Sequence, residues 1–163
     1  MKRLGAIVMF TLAACGTSGG NHEQLRALVD QSTVSLGETV SLAEASVQYS
    51  AGVDARIHSA SAQFSVDTVA TGVRHDVRLD LTGTVLSATA AGAAAAGCAT
   101  QISLPAALAI AEAEAGGDAV AVVPDDDDPC LREIQVLVDT TLWEVKLGPD
   151  GALIEKELSD EEL

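Results

Sequence analysis

Aromatic residues are scarce in this 163-residue chain: two Phe, one Tyr and one Trp, at positions 10, 64, 49 and 143. Apolar residues make up 48% of the sequence but are mostly Ala, Val and Leu, so any core must be finely divided and shallow. Basic residues are few as well. Nine Lys and Arg face 24 acids, for a formal charge of −15. Binding to nucleic acid needs a basic stripe to neutralise phosphates, so nucleic acid is excluded as a partner. No Ser-x-x-Lys pair occurs, and His22, His58 and His75 stand too far apart for a metal or nucleophile spacing. Such a chain reads as a non-enzyme. The length suits one ordinary domain or two small ones.

What is present begins with delivery. Lys2 and Arg3 precede an apolar run from Leu4 to Ala14, the charged and hydrophobic regions of an export signal too short to remain as a membrane span. The run ends Leu12-Ala13-Ala14-Cys15 and resembles the lipobox of bacterial lipoproteins. That resemblance implies removal of residues 1–14, a diacylglycerol on Cys15, and stable membrane anchoring through several acyl chains. Loss of Lys2 and Arg3 makes the mature chain more acidic still. Gly16, rather than Asp, follows the cysteine, which favours the outer membrane, facing the periplasm, if the enterobacterial sorting rule applies.

Residues 15–33 read as the lipidated Cys, a small polar tether to Gly20 and a short helix from Asn21 to Asp30 with Leu25, Leu28 and Val29 on one face. Ser41 and Glu44 form a capping-box pattern, with Val40 and Ala45 as its staple, predicting a helix from Leu42 to about Gly52. Val73, Val77, Leu79 and Leu81 alternate with Arg74, Asp76, Arg78 and Asp80, a half-buried strand, and Thr82-Gly83 turns it into Thr84-Val85-Leu86. The order recurs downstream. Ile102-Ser103-Leu104-Pro105 starts a helix with Leu104, Leu108 and Ala111 on one face, ending at Gly116-Gly117. Strand patterns follow at Ile134, Val136, Val138 and at Trp143, Val145, Leu147, and Gly148-Pro149-Asp150-Gly151 turns the chain into Leu153 and Ile154. Trp143 is expected in the core, and His75 half-buried on the apolar side of its strand. The expected fold class is α+β, as two repeated units of one helix packed on a small antiparallel sheet.

The run from Ile102 to Ala111, then Leu142-Trp143-Glu144-Val145-Lys146-Leu147 and Asp150-Gly151, resembles a PepSY domain. Val40 to Ala88 is similar in a more degenerate way, with His75-Asp76-Val77 and Gly83 at the corresponding places. The chain then divides into a first PepSY-like unit at 34–88, an Ala/Gly-rich linker at 89–100 and a second unit at 101–163. The ending Ser159-Asp160-Glu161-Glu162-Leu163 departs from the family pattern. PepSY domains occur in propeptides of secreted metallopeptidases, so the resemblance implies a protein partner, a peptidase under restraint.

Cys98 and Cys130 are the two thiols left after lipidation of Cys15, an even number that suits a disulfide in an exported protein. A redox or metal pair and free thiols are the alternatives. Asp125, Asp126, Asp127 and Asp128 stand between Pro124 and Pro129, which reads as a solvated connection. They also form a weak candidate for Ca²⁺, without the alternation, Gly and distant Glu of an EF-hand. No other cofactor is implied. Residues 102–163 hold sixteen of the 24 acids and only three of the nine bases, a half that attracts cations or a basic surface. An acidic structural or Ca²⁺-binding envelope lipoprotein is the alternative function.

Overall fold

The pattern Ser-x-x-Glu occurs twice within ten residues, and the chain uses the first. In the computed structural model, which describes residues 19–95, 98, 101–125, 128 and 130–159, helix α2 spans Leu36–Ser46. The Ser35 hydroxyl accepts the Glu38 N–H and the Glu38 carboxylate accepts the Ser35 N–H. The expected start at Leu42 is therefore corrected by six residues. Ser41 lies mid-helix and donates to the Gly37 carbonyl at 3.1 Å. Starting at Leu36 turns Leu36, Thr39, Val40 and Ala43 onto one buried face, whereas Leu42 stays exposed. Helix α1, Gly19–Gln31, precedes it and buries Leu25 and Leu28. Helix α3, Leu104–Ala115, begins after Ser103 with Pro105 in its first turn. It ends at Gly116, whose φ of 80° is the left-handed conformation that a side chain disfavours.

Among the described residues eight strands follow the helices: β1 Ala51–His58, β2 Gln63–Ala70, β3 Val73–Asp80 and β4 Val85–Ala93 after α2, then β5 Asp118–Pro124, β6 Arg132–Val138, β7 Thr141–Leu147 and β8 Leu153–Leu158 after α3. They do not close into two small sheets. β1 pairs with β5, and all eight form one antiparallel sheet in the order β4-β3-β2-β1-β5-β6-β7-β8. This overturns the expected architecture of two separate PepSY-like units, each a helix on its own small sheet. The physical reason lies in the composition. A core of Ala, Val and Leu beneath one helix is small, and a separate sheet would leave β1 and β5 as open edges. Joined, the two halves share one hydrophobic core that runs from Leu25 through Val40, Val66 and Leu108 to Val145. Strands β1, β2 and β5 are absent from the sequence reading, which placed a helix end at Gly52. Strand β4 runs to Ala93, so the first residues of the stretch read as a linker are sheet.

Helices α2 and α3 lie side by side on one face. Ala55, Ile57, Val66, Val77 and Leu79 of the first four strands point to it, as do Val122, Ile134, Val136 and Val145 of the last four. Trp143 shares that side but is only half-buried, with the Lys156 ammonium 5.0 Å from its ring centroid. On β1, β2 and β3 the opposite face carries Asp54, Arg56, His58, Asp67, Arg74, Asp76 and Arg78. On β6 and β7 that face passes to Gln135, Leu137 and Leu142, which are buried.

Candidate functional site

The seam between the two halves is short. The register at β1 and β5 holds a single pair, Arg56 with Ala121. Both strands are bulged beside it, β1 between Gly52 and Asp54 and β5 between Ala119 and Ala121. A bulge bends and twists its strand locally, and two facing bulges part the strands on either side of the pair. A cavity sits at each end. One, of about 220 Å³, lies between Val29, residues 32–36, Ile57, Phe64 and the start of β5. Its acids are Asp118 and Glu112, and the Glu112 Oε1 accepts the Ala119 N–H at 3.1 Å. Burial raises the Glu112 carboxyl above its ordinary range.

The other cavity, of about 290 Å³, opens where Val53 and Asp54 separate from Val123 and Asp125. Described residues between β4 and α3 border it. Ala94 donates to the Gly72 carbonyl, Ala95, Cys98 and Gln101 line the cavity, and Ile102 donates to the Pro149 carbonyl. Cys98 and Cys130 are joined in a disulfide with a Cα–Cα distance of 5.4 Å. This ties the connection to the residues just before β6. The Gln101 amide donates to the Cys130 carbonyl at 2.9 Å and reinforces the tie.

Three acids and two bases line this cavity: Asp54, Asp67, Asp125, Arg74 and Arg132. Arg74 is bonded to Asp67, which raises the guanidinium pKa. Asp125 pairs with Lys146 at 3.0 Å, and Lys146 also meets Glu133 at 2.5 Å. Both bonds raise the Lys146 pKa. Asp54 is held above the usual carboxylate range by burial, against the pull of Arg56 at 3.4 Å. Arg132 stands apart. It is 9% exposed, its Nη2 donates to the Gln101 Oε1 at 3.2 Å, and its Nη1 is buried without an acceptor. Among the described residues no carboxylate pairs with it, and burial lowers its pKa. A buried donor left unsatisfied costs roughly 1–3 kcal/mol, more when charged.

Of the acidic run, Asp125 Oδ1 accepts the Asp128 N–H at 2.7 Å and Asp128 Oδ1 accepts the Cys130 N–H at 2.9 Å. These two carboxylates shape the turn into the disulfide. Asp126, Asp127, the expected leader at 1–14 and Cys15 lie outside the described residues. Among the described residues no three His, Cys, Asp or Glu side chains gather in a metal-binding group, and no helix is long and apolar enough to cross a membrane. His75 is half-buried opposite Thr68. His58 lies on the charged face, its pKa lowered first by burial and then by Arg78 and Arg56.

Sequence reasoning missed Asp54, Asp67, Gln101 and Arg132. Asp54 and Asp67 sit on β1 and β2, two of the three unread strands. The signals that could have found them are the alternation of Ala55 and Ile57 with Asp54 and Arg56, and of Phe64 and Val66 with Ser65 and Asp67.

No family model matches the chain, and no curated protein matches it in sequence. Among solved structures the fold is similar to that of a candidate lipoprotein from Clostridium difficile 630. The match has 15% identity and a TM-score of 0.44, and covers 74% of this chain and 90% of that one.

Proposed function

We propose that this chain is an exported, lipid-anchored, non-enzymatic binding protein of the bacterial cell envelope, which meets a protein partner with the charged face of its sheet. The observation that carries the docking surface is the pattern on β1, β2 and β3. Arg56 pairs with Asp54, Arg74 with Asp67 and Arg78 with Asp76, and neither α2 nor α3 covers them. Paired charges of both signs on a rigid sheet offer register and selectivity to a complementary surface. Leu12-Ala13-Ala14-Cys15 supports the anchor, and the disulfide suits an oxidising compartment. Gly16 after the anchor cysteine favours the outer membrane. The finer reading, restraint of a secreted peptidase, draws its support from the PepSY resemblance of residues 102–111 and 142–147.

Two measurements test the proposal. Metabolic labelling with an alkyne fatty acid should mark the chain and lose the mark in Cys15→Ser, and an unlabelled wild-type chain removes the anchor. Crosslinking from the membrane, followed by identification of the product, should capture a protein whose yield falls at least tenfold in Arg56→Glu/Arg78→Glu. A yield unchanged in that double variant removes the charged face as the docking surface, and failure of the captured protein to be a peptidase removes the restraint reading.

A further inference from the structure

The Arg132 cavity has a composition that folding alone does not account for. A guanidinium that is nine-tenths buried ordinarily sits against a carboxylate, because a buried charge without a counter-ion is expensive. Arg132 instead has the neutral Gln101 amide on one nitrogen and no acceptor on another. The described acids that line the cavity are committed elsewhere, Asp54 to Arg56, Asp67 to Arg74 and Asp125 to Lys146. The remainder of the lining is largely aliphatic, with Val53, Val69, Val123 and Leu131, and the space of about 290 Å³ suits a small organic molecule.

We propose that this cavity binds an aliphatic monocarboxylate, its carboxylate taken by Arg132 beside Gln101 and its hydrocarbon part lying against Val53, Val69 and Val123. A single negative charge matches the uncompensated Arg132 guanidinium. Phosphate or sulfate would bring a second charge against Asp54, Asp67 and Asp125. The planar guanidinium fork fits a carboxylate, with two donors for two oxygens. The proposal goes beyond the docking surface and does not rest on it, because Arg132 and Gln101 are not part of the charged face. The carboxylate has two chemical sources, a free acid or the C-terminus of a peptide.

Calorimetric titration of the purified, disulfide-intact chain distinguishes them. One arm uses 4-methylpentanoate against its alcohol and amide, and the other uses Ala-Val-Leu with a free or an amidated C-terminus. Binding of the acid at least tenfold tighter than its neutral analogues supports the proposal, and the arm that binds names the source. Arg132→Met should lose that preference while its melting temperature holds or rises, since it removes an unpaired buried charge. A site that served structure alone would show the reverse, a fall in melting temperature. The proposal is overturned by equal affinity for acid and neutral analogue, by no binding in either arm, or by Arg132→Met retaining wild-type affinity. A melting temperature lowered in Arg132→Met also overturns it, and loss of membrane capture in Arg56→Glu/Arg78→Glu leaves this result unaffected.

Discussion

Gly52 on β1 faces Val40 on α2 so closely that a Cβ at residue 52 would stand 2.6 Å from Val40 Cγ1, with Leu104 Cδ2 at 3.4 Å. This contact lets α2 and α3 approach the sheet together, since Val40 and Leu104 come from different helices. Val40 is fully buried, and its β-branched side chain has little rotamer freedom with which to yield. Gly52→Ala should therefore lower stability by about 1–3 kcal/mol, the range for overpacking, despite the entropic benefit of replacing glycine. Urea unfolding followed by the fluorescence of Trp143 checks this, and an unchanged midpoint would contradict the packing.

The position of the capping box is tested by two serines. Ser35→Ala should cost about 1 kcal/mol, because Glu38 N–H loses its acceptor. Ser41→Ala, mid-helix and exposed, should be neutral or slightly stabilising. Equal losses in the two variants would place the helix start elsewhere.

The disulfide closes a loop with a sequence separation of 32. Cys98→Ala/Cys130→Ala should reduce stability by roughly 3–4 kcal/mol on the chain-entropy estimate. Reductant should shift the wild-type denaturation midpoint in the same direction and leave that of the double variant in place.

Burial raises the Glu112 carboxyl pKa in the folded chain, so the folded state keeps a proton there over a pH range in which the unfolded chain has lost it. Its contribution favours folding below the ordinary value of 4.5, and that advantage is lost as pH rises through the folded-state pKa. Glu112→Gln keeps an acceptor for the Ala119 N–H and removes the charge. Its melting temperature should exceed that of the wild type at pH 7 and match it at pH 3, and a gain of equal size at both would remove burial of the charge as the cause.

Local elements were written plainly in the chain. Pro105 and Gly116 bracket α3, Val77 and Leu79 alternate with Arg78 and Asp80 along β3, and Gly83 and Gly151 sit in turns at φ of 81° and 85°. Each depends on residues within a few positions of one another, so periodicity and backbone preference suffice to reveal it. Where two local signals competed, as with Ser35 and Ser41, the choice fell to the packing of Leu36 and Val40 in the core.

The sequence by itself determined the acidity, the Ala/Val/Leu core and the alternation of β3, β6 and β7. Tertiary structure alone decided that the halves share one sheet, because the pairing of Arg56 with Ala121 joins strands 65 positions apart in the chain. It also decided the candidate site. The seam bulges, the place of Cys98 and Gln101 beside the cavity and the burial of Arg132 arise from contacts between segments that no local pattern encodes, and an arginine at the start of a strand looks the same in sequence whether it ends in water or in a cavity.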